Sequence, residues 1–276
     1  AGLSQRDIGY SGLKDRHAVT TQWLSVPAEL ARDLDPHNFA VDKCRLLQVT
    51  RNLRKLRRGA HASNRFRILL REFDGDAAQL TERVSTIAKT GVPNYFGPQR
   101  FGHNMGNLRL AERLFAGTRM KRHERDFALS ASRSAIFNAL VSARIDKGVW
   151  DCLLDGDRLN LDGRGSVFTP DADDTELAER LKNGEVHPSA SLWGRQGSLL
   201  DSSAKELEEA VAVDQYPGFC AGLVASSVDS HFRPVRLMPK NLVHAELEAG
   251  HLLEFSLPSG AFATALLREL VDFDET

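Results

Sequence analysis

Near the start of the chain one carboxylate, Asp15, stands between two cations, Lys14 and Arg16, just after Gly12 and just before His17. Opposite charges within a few ångströms favour the ionised form of a carboxyl, so Asp15 is a candidate nucleophile or base at neutral pH. Taken alone, such a tripeptide is more often a charged surface turn than a catalytic group. A second constellation lies downstream, where Asn64 and Phe66 are two residues apart and so share one side of an extended strand. An amide beside an aromatic face can pair with and stack on an unstacked nucleic-acid base. A phenylalanine in a strand is also an ordinary core residue, and the spacing alone leaves both readings open. Around these two residues, Lys43 to Arg71 carries ten Lys or Arg and no Asp or Glu. That is a phosphate-binding signature in a chain whose net charge is only −1. Arg54, Lys55, Arg57 and Arg58 are its densest part.

The elements that must position these groups follow from periodicity. Thr20 to Val26 alternates like a half-buried strand, and a second strand runs up to Leu70. Asp76 to Thr90 reads as a helix with Leu80, Val84 and Ile87 on one face and Gly91 as its stop. Gly91 to Gly102 is dense in turn formers and aromatics, the pattern of a functional loop. A helix is expected over Ser130 to Lys147, capped by Ser130, with Ile136, Leu140 and Ile145 inward and Gly148 closing it. Further helices are expected over Asp174 to Leu181 and Ser203 to Val213, the second opened by a capping box between Ser203 and Glu206. Asp155 to Gly163 mimics a calcium loop, but Leu159 falls where an oxygen ligand belongs and the closing Glu is absent, so it reads as a turn between strands. Leu252 to Leu257 reads as a strand and Ser259 to Leu270 as a helix.

The chain has 276 residues, 42% of them apolar and 26% charged, enough for a substantial core in one or two domains. No apolar run approaches the roughly 20 residues of a membrane span, and the first residues lack a signal-peptide core. Cys44, Cys152 and Cys220 are too few and too scattered for a disulfide framework and read as reduced thiols. The nine His show no H-x-H or H-E-x-x-H spacing, so no metal site is expected, and the glycines of Gly97 to Gly106 follow no βα unit of a dinucleotide fold.

Four stretches resemble the TruD-type tRNA pseudouridine synthases: Gly12 to Trp23, Arg54 to Phe66, Val92 to Gly102, and Leu257 to Leu270. They occur in family order and cover nearly the whole chain. The resemblance implies an α+β fold: a pseudouridine synthase-like mixed, mainly antiparallel sheet with flanking helices. Residues 1–90 and 238–276 would form the catalytic domain and 91–237 an inserted, mostly helical TRUD domain, with RNA in the cleft between them. It implies isomerisation of uridine 13 of tRNA to pseudouridine, which needs no cofactor. Asp15 matches the family's catalytic aspartate, as nucleophile or as base. Phe66 would lie against the target base with Asn64 nearby, and Lys14 would belong to the substrate site. Gln99 and Arg100 would contact RNA, or else brace their loop. Arg268 would pair with Asp15, whereas by sequence alone its neighbour Glu269 is the expected partner. Family members carry an N-terminal segment ahead of the Asp15 motif, and the present chain is expected to be a fragment lacking it. A cytoplasmic monomer acting on tRNA is expected. The alternative is a non-catalytic RNA-binding or assembly factor on the same fold.

Overall fold

The computed structural model describes residues 4, 6–15, 18–32, 41–171 and 173–273. The chain divides into two compact units, residues 1–64 and 65–276.

The first unit holds a two-stranded antiparallel ribbon, β1 (Gly9–Tyr10) with β2 (Leu24–Ser25), in which Gly9 faces Ser25 and Tyr10 faces Leu24. The strand expected over Thr20 to Val26 is thus reduced to two residues, because the alternation there has no apolar surface to face. Thr20 to Trp23 are all exposed, and among the unit's described residues only Gly9 is buried. Hydrogen bonds hold the ribbon to a later segment instead. The Leu56 amide donates to Ser25 Oγ at 2.9 Å and the Gly59 amide to Ser11 O at 2.7 Å. The approach is so close at Gly9 that a Cβ there would lie 2.4 Å from Ser25 Oγ and 2.6 Å from Leu56 O, so only glycine fits.

The unit boundary falls within β3 (Ser63–Leu70). The second unit continues with α1 (Ala77–Thr90), whose ends match the sequence signals. Asp76 caps it, accepting from the Ala78 and Gln79 amides, and Gly91 ends it at φ 74°, where a Cβ would meet Leu237 O at 2.7 Å. Leu80, Val84 and Ile87 are its buried face. There follow β4 (Val92–Pro93), α2 (Gly106–Phe115), α3 (Arg122–Asp146), β5 (Leu159–Leu161), β6 (Val167–Phe168), α4 (Leu177–Lys182) and β7 (Val186–Leu192). The chain closes with α5 (Ser202–Gln215), α6 (Pro217–Ala225), β8 (His231–Pro234), β9 (Arg236–Leu237), β10 (Lys240–Leu247), β11 (Gly250–Pro258) and α7 (Ala263–Arg268).

Two hydrophobic cores organise this unit. One gathers Leu80, Val84, Ile87 and Val92 with Leu237, Leu253, Phe255, Leu257 and Leu266, between α1, α7 and a three-stranded sheet in the order β10-β11-β3. Strand β11 alternates strictly, with Leu253, Phe255 and Leu257 buried. The other lies between residues 96 and 235, where Ile136, Phe137, Leu140 and Val141 of α3 pack with Trp193, Leu223 and Val235. Beside it stands an antiparallel sheet in the order β6-β5-β7-β8. Where the chain passes from one core to the other, β4 and β9 pair antiparallel, Val92 facing Leu237 and Pro93 facing Arg236.

Three local expectations are corrected. Helix α3 starts at Arg122, well before Ser130, because Glu124 accepts from the Lys121 amide at 3.0 Å and supplies the cap. The Ser130 hydroxyl accepts from Arg100 instead. Helix α5 begins at Ser202, after an Asp201 whose side chain makes no capping bond, and Ser203 lies inside it, donating to Asp155 O at 3.3 Å, so there is no capping box with Glu206. The segment Asp155 to Gly163 contains β5 and is no simple turn; Asp157 points inward to a buried ion pair with Arg144 and also accepts from the Leu154 amide at 2.8 Å. Removing one member of such a pair costs about 3–5 kcal/mol, since the other is left buried and charged.

Candidate active site

In the first unit Lys14 is half-buried and its Nζ donates to Asn64 Oδ1 at 2.5 Å. The Asn64 Nδ2 lies 3.1 Å from His61 Nε2, and His61 Nδ1 lies 3.1 Å from Ser11 O. These bonds are mutually consistent in one arrangement only. The amide donates to Nε2, so Nδ1 carries the hydrogen and donates to the Ser11 carbonyl. The first two motifs are thereby joined through three side chains, and the loop of Ser11 to Asp15 is held at both Ser11 and Lys14. Asp15, next in sequence, is exposed. Arg16 and His17, the other flank of the motif, lie outside the described residues. His61 was not singled out by sequence, and its only signal was its place between Gly59 and Asn64 in a basic stretch.

The cations of that stretch are not equivalent. Arg54, Lys55, Arg57 and Arg58 are all exposed. Arg58 stacks over the Tyr10 ring, 5.1 Å from its centroid, and its Nε donates to Tyr10 Oη at 3.0 Å. Lys55 Nζ donates to the Arg6 carbonyl. Arg54 and Arg57 make no ion pair among the described residues. Further along, on β3, Arg65 and Arg67 both pair with Glu254 of β11, at 2.7 and 2.5 Å. The acid missing from the linear stretch is thus supplied by a strand almost 190 residues later in sequence. Those donors, with burial opposing them, hold the Glu254 carboxyl below its ordinary range.

Phe66 is half-buried and stacks on Phe255, with ring centroids 5.3 Å apart and planes 24° from parallel. Phe255 is 1% exposed, so Phe66 rests on the core while keeping an open side. Asn64 and Phe66 share the half-buried face of β3, with Ser63, Arg65 and Arg67 exposed on the other.

The third and fourth motifs meet elsewhere in the second unit. Thr264 Oγ1 donates to Gln99 Oε1 at 3.4 Å. Arg233 of β8 spans the two motifs, its Nη2 donating to Asn94 Oδ1 at 2.7 Å and its Nη1 to Gly260 O at 3.1 Å. Gln99 is exposed, while Arg100 is half-buried with Nη1 donating to Ser130 Oγ at 2.9 Å. Arg268, the last residue of α7, is exposed and forms no ion pair with Glu269 or another acid of its unit among the described residues. Among the described residues no group of three or more His, Cys, Asp or Glu could hold a metal ion, and no helix is long and apolar enough to cross a membrane. Cys44 and Cys152 are exposed and Cys220 is buried, its thiol pushed up to about 11 by burial.

A family model described as tRNA pseudouridine synthase D (TruD) matches residues 1–118 and 115–270. The chain is 43% identical to the tRNA pseudouridine synthase D of Methylococcus capsulatus over 277 residues, covering 99% of this chain and 78% of that one. It is 42% identical to the corresponding protein of Xanthomonas campestris and 41% to that of Aeromonas salmonicida, covering 98% and 100% of this chain and again 78% of each relative. The fold matches the crystal structure of the TruD protein from Methanosarcina mazei with a TM-score of 0.71, at 21% identity, over 97% of this chain and 82% of that one. By the family model and by these identities, the chain belongs to the TruD family of tRNA pseudouridine synthases.

Proposed function

We infer that this protein converts uridine 13 of tRNA to pseudouridine, with Asp15 as the group that acts on the substrate. The observation that carries the reading is the Lys14–Asn64 bond, which fastens the Asp15 loop to the segment leading into Phe66. Uridine and pseudouridine are isomers. The N-glycosidic bond breaks, a C-glycosidic bond forms at the same ribose carbon, and a proton leaves the base carbon as the ring nitrogen gains one. Nothing is oxidised or reduced, so the chemistry calls for a positioned carboxylate and for control of the detached base. Asp15 either attacks the ribose or removes a proton from it, and the base then turns before it reattaches. The uridine has to leave its stack first, at a cost of about a few kcal/mol, which stacking on Phe66 offsets. Asn64 and Lys14 hold the site, Arg268 is the cationic partner of Asp15, and Arg54, Lys55, Arg57, Arg58, Gln99 and Arg100 contact RNA.

The domain reading that goes with this function takes residues 1–90 and 238–276 as catalytic and 91–237 as inserted. Its support is the division of apolar side chains between two cores and the pairing of β4 with β9 at the crossing. On this reading the protein works as a cytoplasmic monomer. The test is incubation with unmodified tRNA followed by carbodiimide mapping. A new reverse-transcription stop at position 13 is the expected product, and tRNA binding without any stop would favour the non-catalytic RNA-binding alternative.

A further inference from the structure

One cleft of the second unit, about 370 Å³ in volume, is lined by three arginines from three elements: Arg100, Arg133 of α3 and Arg233 of β8. Its one lining carboxylate is that of Asp126, an exposed residue. The guanidinium groups are held by neutral acceptors. Arg133 donates to the carbonyls of Trp193 at 2.8 Å, Leu192 at 2.9 Å and Asp229 at 2.8 Å. Arg233 is held by Asn94 and Gly260, and Arg100 by the Ser130 hydroxyl. Such bonds fix the direction of a cation without cancelling its charge. Arg233 and Arg100 also share the Phe96 ring, at 4.0 and 5.1 Å from its centroid. Arg100 Nε is buried with no hydrogen-bond partner among the described residues.

The buried Arg144 is given its counter-charge by Asp157, whereas the buried Arg236 is held by two carbonyls and His187. Here desolvation pulls all three arginines below the ordinary guanidinium range, against the opposing charge of Asp229 at Arg133, and Arg233 to about 9, where the neighbouring charge of Arg100 adds to the effect. Gathering three partly desolvated cations around a cleft whose one lining carboxylate is the exposed Asp126 is costly, and an incoming anion lowers that cost. Each guanidinium keeps at least one N–H outside these bonds, and a charged N–H donor makes a strong bond to a phosphate oxygen. We propose that Arg100, Arg133 and Arg233 form a binding site for one backbone phosphodiester of the bound RNA strand.

This proposal rests on tRNA being the substrate, and it is tested with tRNA and with inorganic phosphate as probes. Arg100 gives up one neutral hydrogen bond on substitution, so R100Q is expected to fold, with a melting midpoint close to wild type. It should bind tRNA about tenfold more weakly at moderate salt, with a salt slope smaller by about one unit, the mark of one lost phosphate contact. R100K keeps the charge and loses the fork, and should fall between the two. At equal ionic strength, phosphate should displace tRNA from the wild-type protein better than chloride does, a measurement that needs no variant. A folded R100Q with wild-type affinity and slope overturns the site. So does phosphate that protects wild type against melting but not R100Q while the tRNA slopes agree, since the cleft would then take free anions only. A wild-type protein that makes no pseudouridine, with the slope still reduced in R100Q, would instead overturn the functional reading and leave this site standing.

Discussion

Lys14 and Asn64, 50 residues apart in sequence, are joined by a 2.5 Å bond from Nζ to Oδ1, and the Asn64 amide reaches His61 with its other end. Asp15 follows Lys14 directly in sequence, beside the residue that Asn64 holds.

Asn64→Ala should therefore act through position. The lysine loses its acceptor and the loop its anchor, and a shift of an ångström at a reacting group is worth about 10²-fold in rate. Turnover of tRNA is expected to fall by about that factor, with tRNA affinity changing far less. Single-turnover kinetics separate the two. Equal losses in binding and rate would mean that Asn64 contacts RNA without positioning the loop.

Phe66 has a structural duty to Phe255 as well as its proposed duty to the base, and two substitutions tell them apart. Phe66→Ala removes the aromatic pair and leaves a hole beside a buried ring, with an expected cost of about 1–3 kcal/mol in a denaturant titration. Phe66→Leu keeps most of the apolar volume but offers no flat face. It should melt near wild type and turn over slowly, through loss of base stacking worth about 1–3 kcal/mol. Wild-type turnover in Phe66→Leu would assign the residue to the core alone.

Within the basic stretch the structure ranks the cations. Arg54 and Arg57 are exposed without an ion pair among the described residues, whereas Arg58 is oriented by Tyr10 and Lys55 by a carbonyl. The double variant R54Q/R57Q should lower the salt slope of tRNA binding by about two units, one per lost phosphate contact. An unchanged slope in a salt titration would remove both from the RNA surface.

Legibility from sequence divided along the same physical line. Helix α1 could be read almost to the residue because both its stops are local: Asp76 caps from within hydrogen-bond reach, and Gly91 takes a backbone angle that few other residues accept. The start of α3 could not. Ser130 satisfies every local rule for a cap, and only the Arg100 side chain, from another element, shows that its hydroxyl is already engaged. Ser203 failed for the same reason, its hydroxyl going to Asp155 O. For the candidate site, the family resemblance pointed to Asp15, Asn64 and Phe66, which spacing alone left open. It missed His61, Arg133 and Arg233, whose roles depend on who lies across from them in space. For Arg133 there was one signal: a cation flanking the inward face of a helix that carries Phe137 four residues on.

Asp162 gives a pH prediction. Burial works to raise its carboxyl, but His187 Nε2 at 3.3 Å and Lys240 Nζ at 2.9 Å outweigh that and hold it below the ordinary value of 3.8. A carboxyl depressed in the folded state contributes stability that is complete above its unfolded pKa and is lost as pH falls through the folded one. Stability should therefore drop below about pH 3.8, and Asp162→Asn should be less stable at neutral pH with a shallower acid limb. Parallel limbs for the two proteins in urea melts across that range would contradict the assignment.

The most direct test of the account is pseudouridine formation by Asp15→Asn. The change keeps the shape of the side chain and removes its charge. An exposed residue of this kind alters stability by no more than about ±0.5 kcal/mol, so the melting midpoint should barely move. Carbodiimide mapping of tRNA incubated with the variant should show no product at position 13, with tRNA still bound as tightly as by wild type or more so. Product at a rate comparable to wild type would take Asp15 out of the mechanism and contradict the account at its centre.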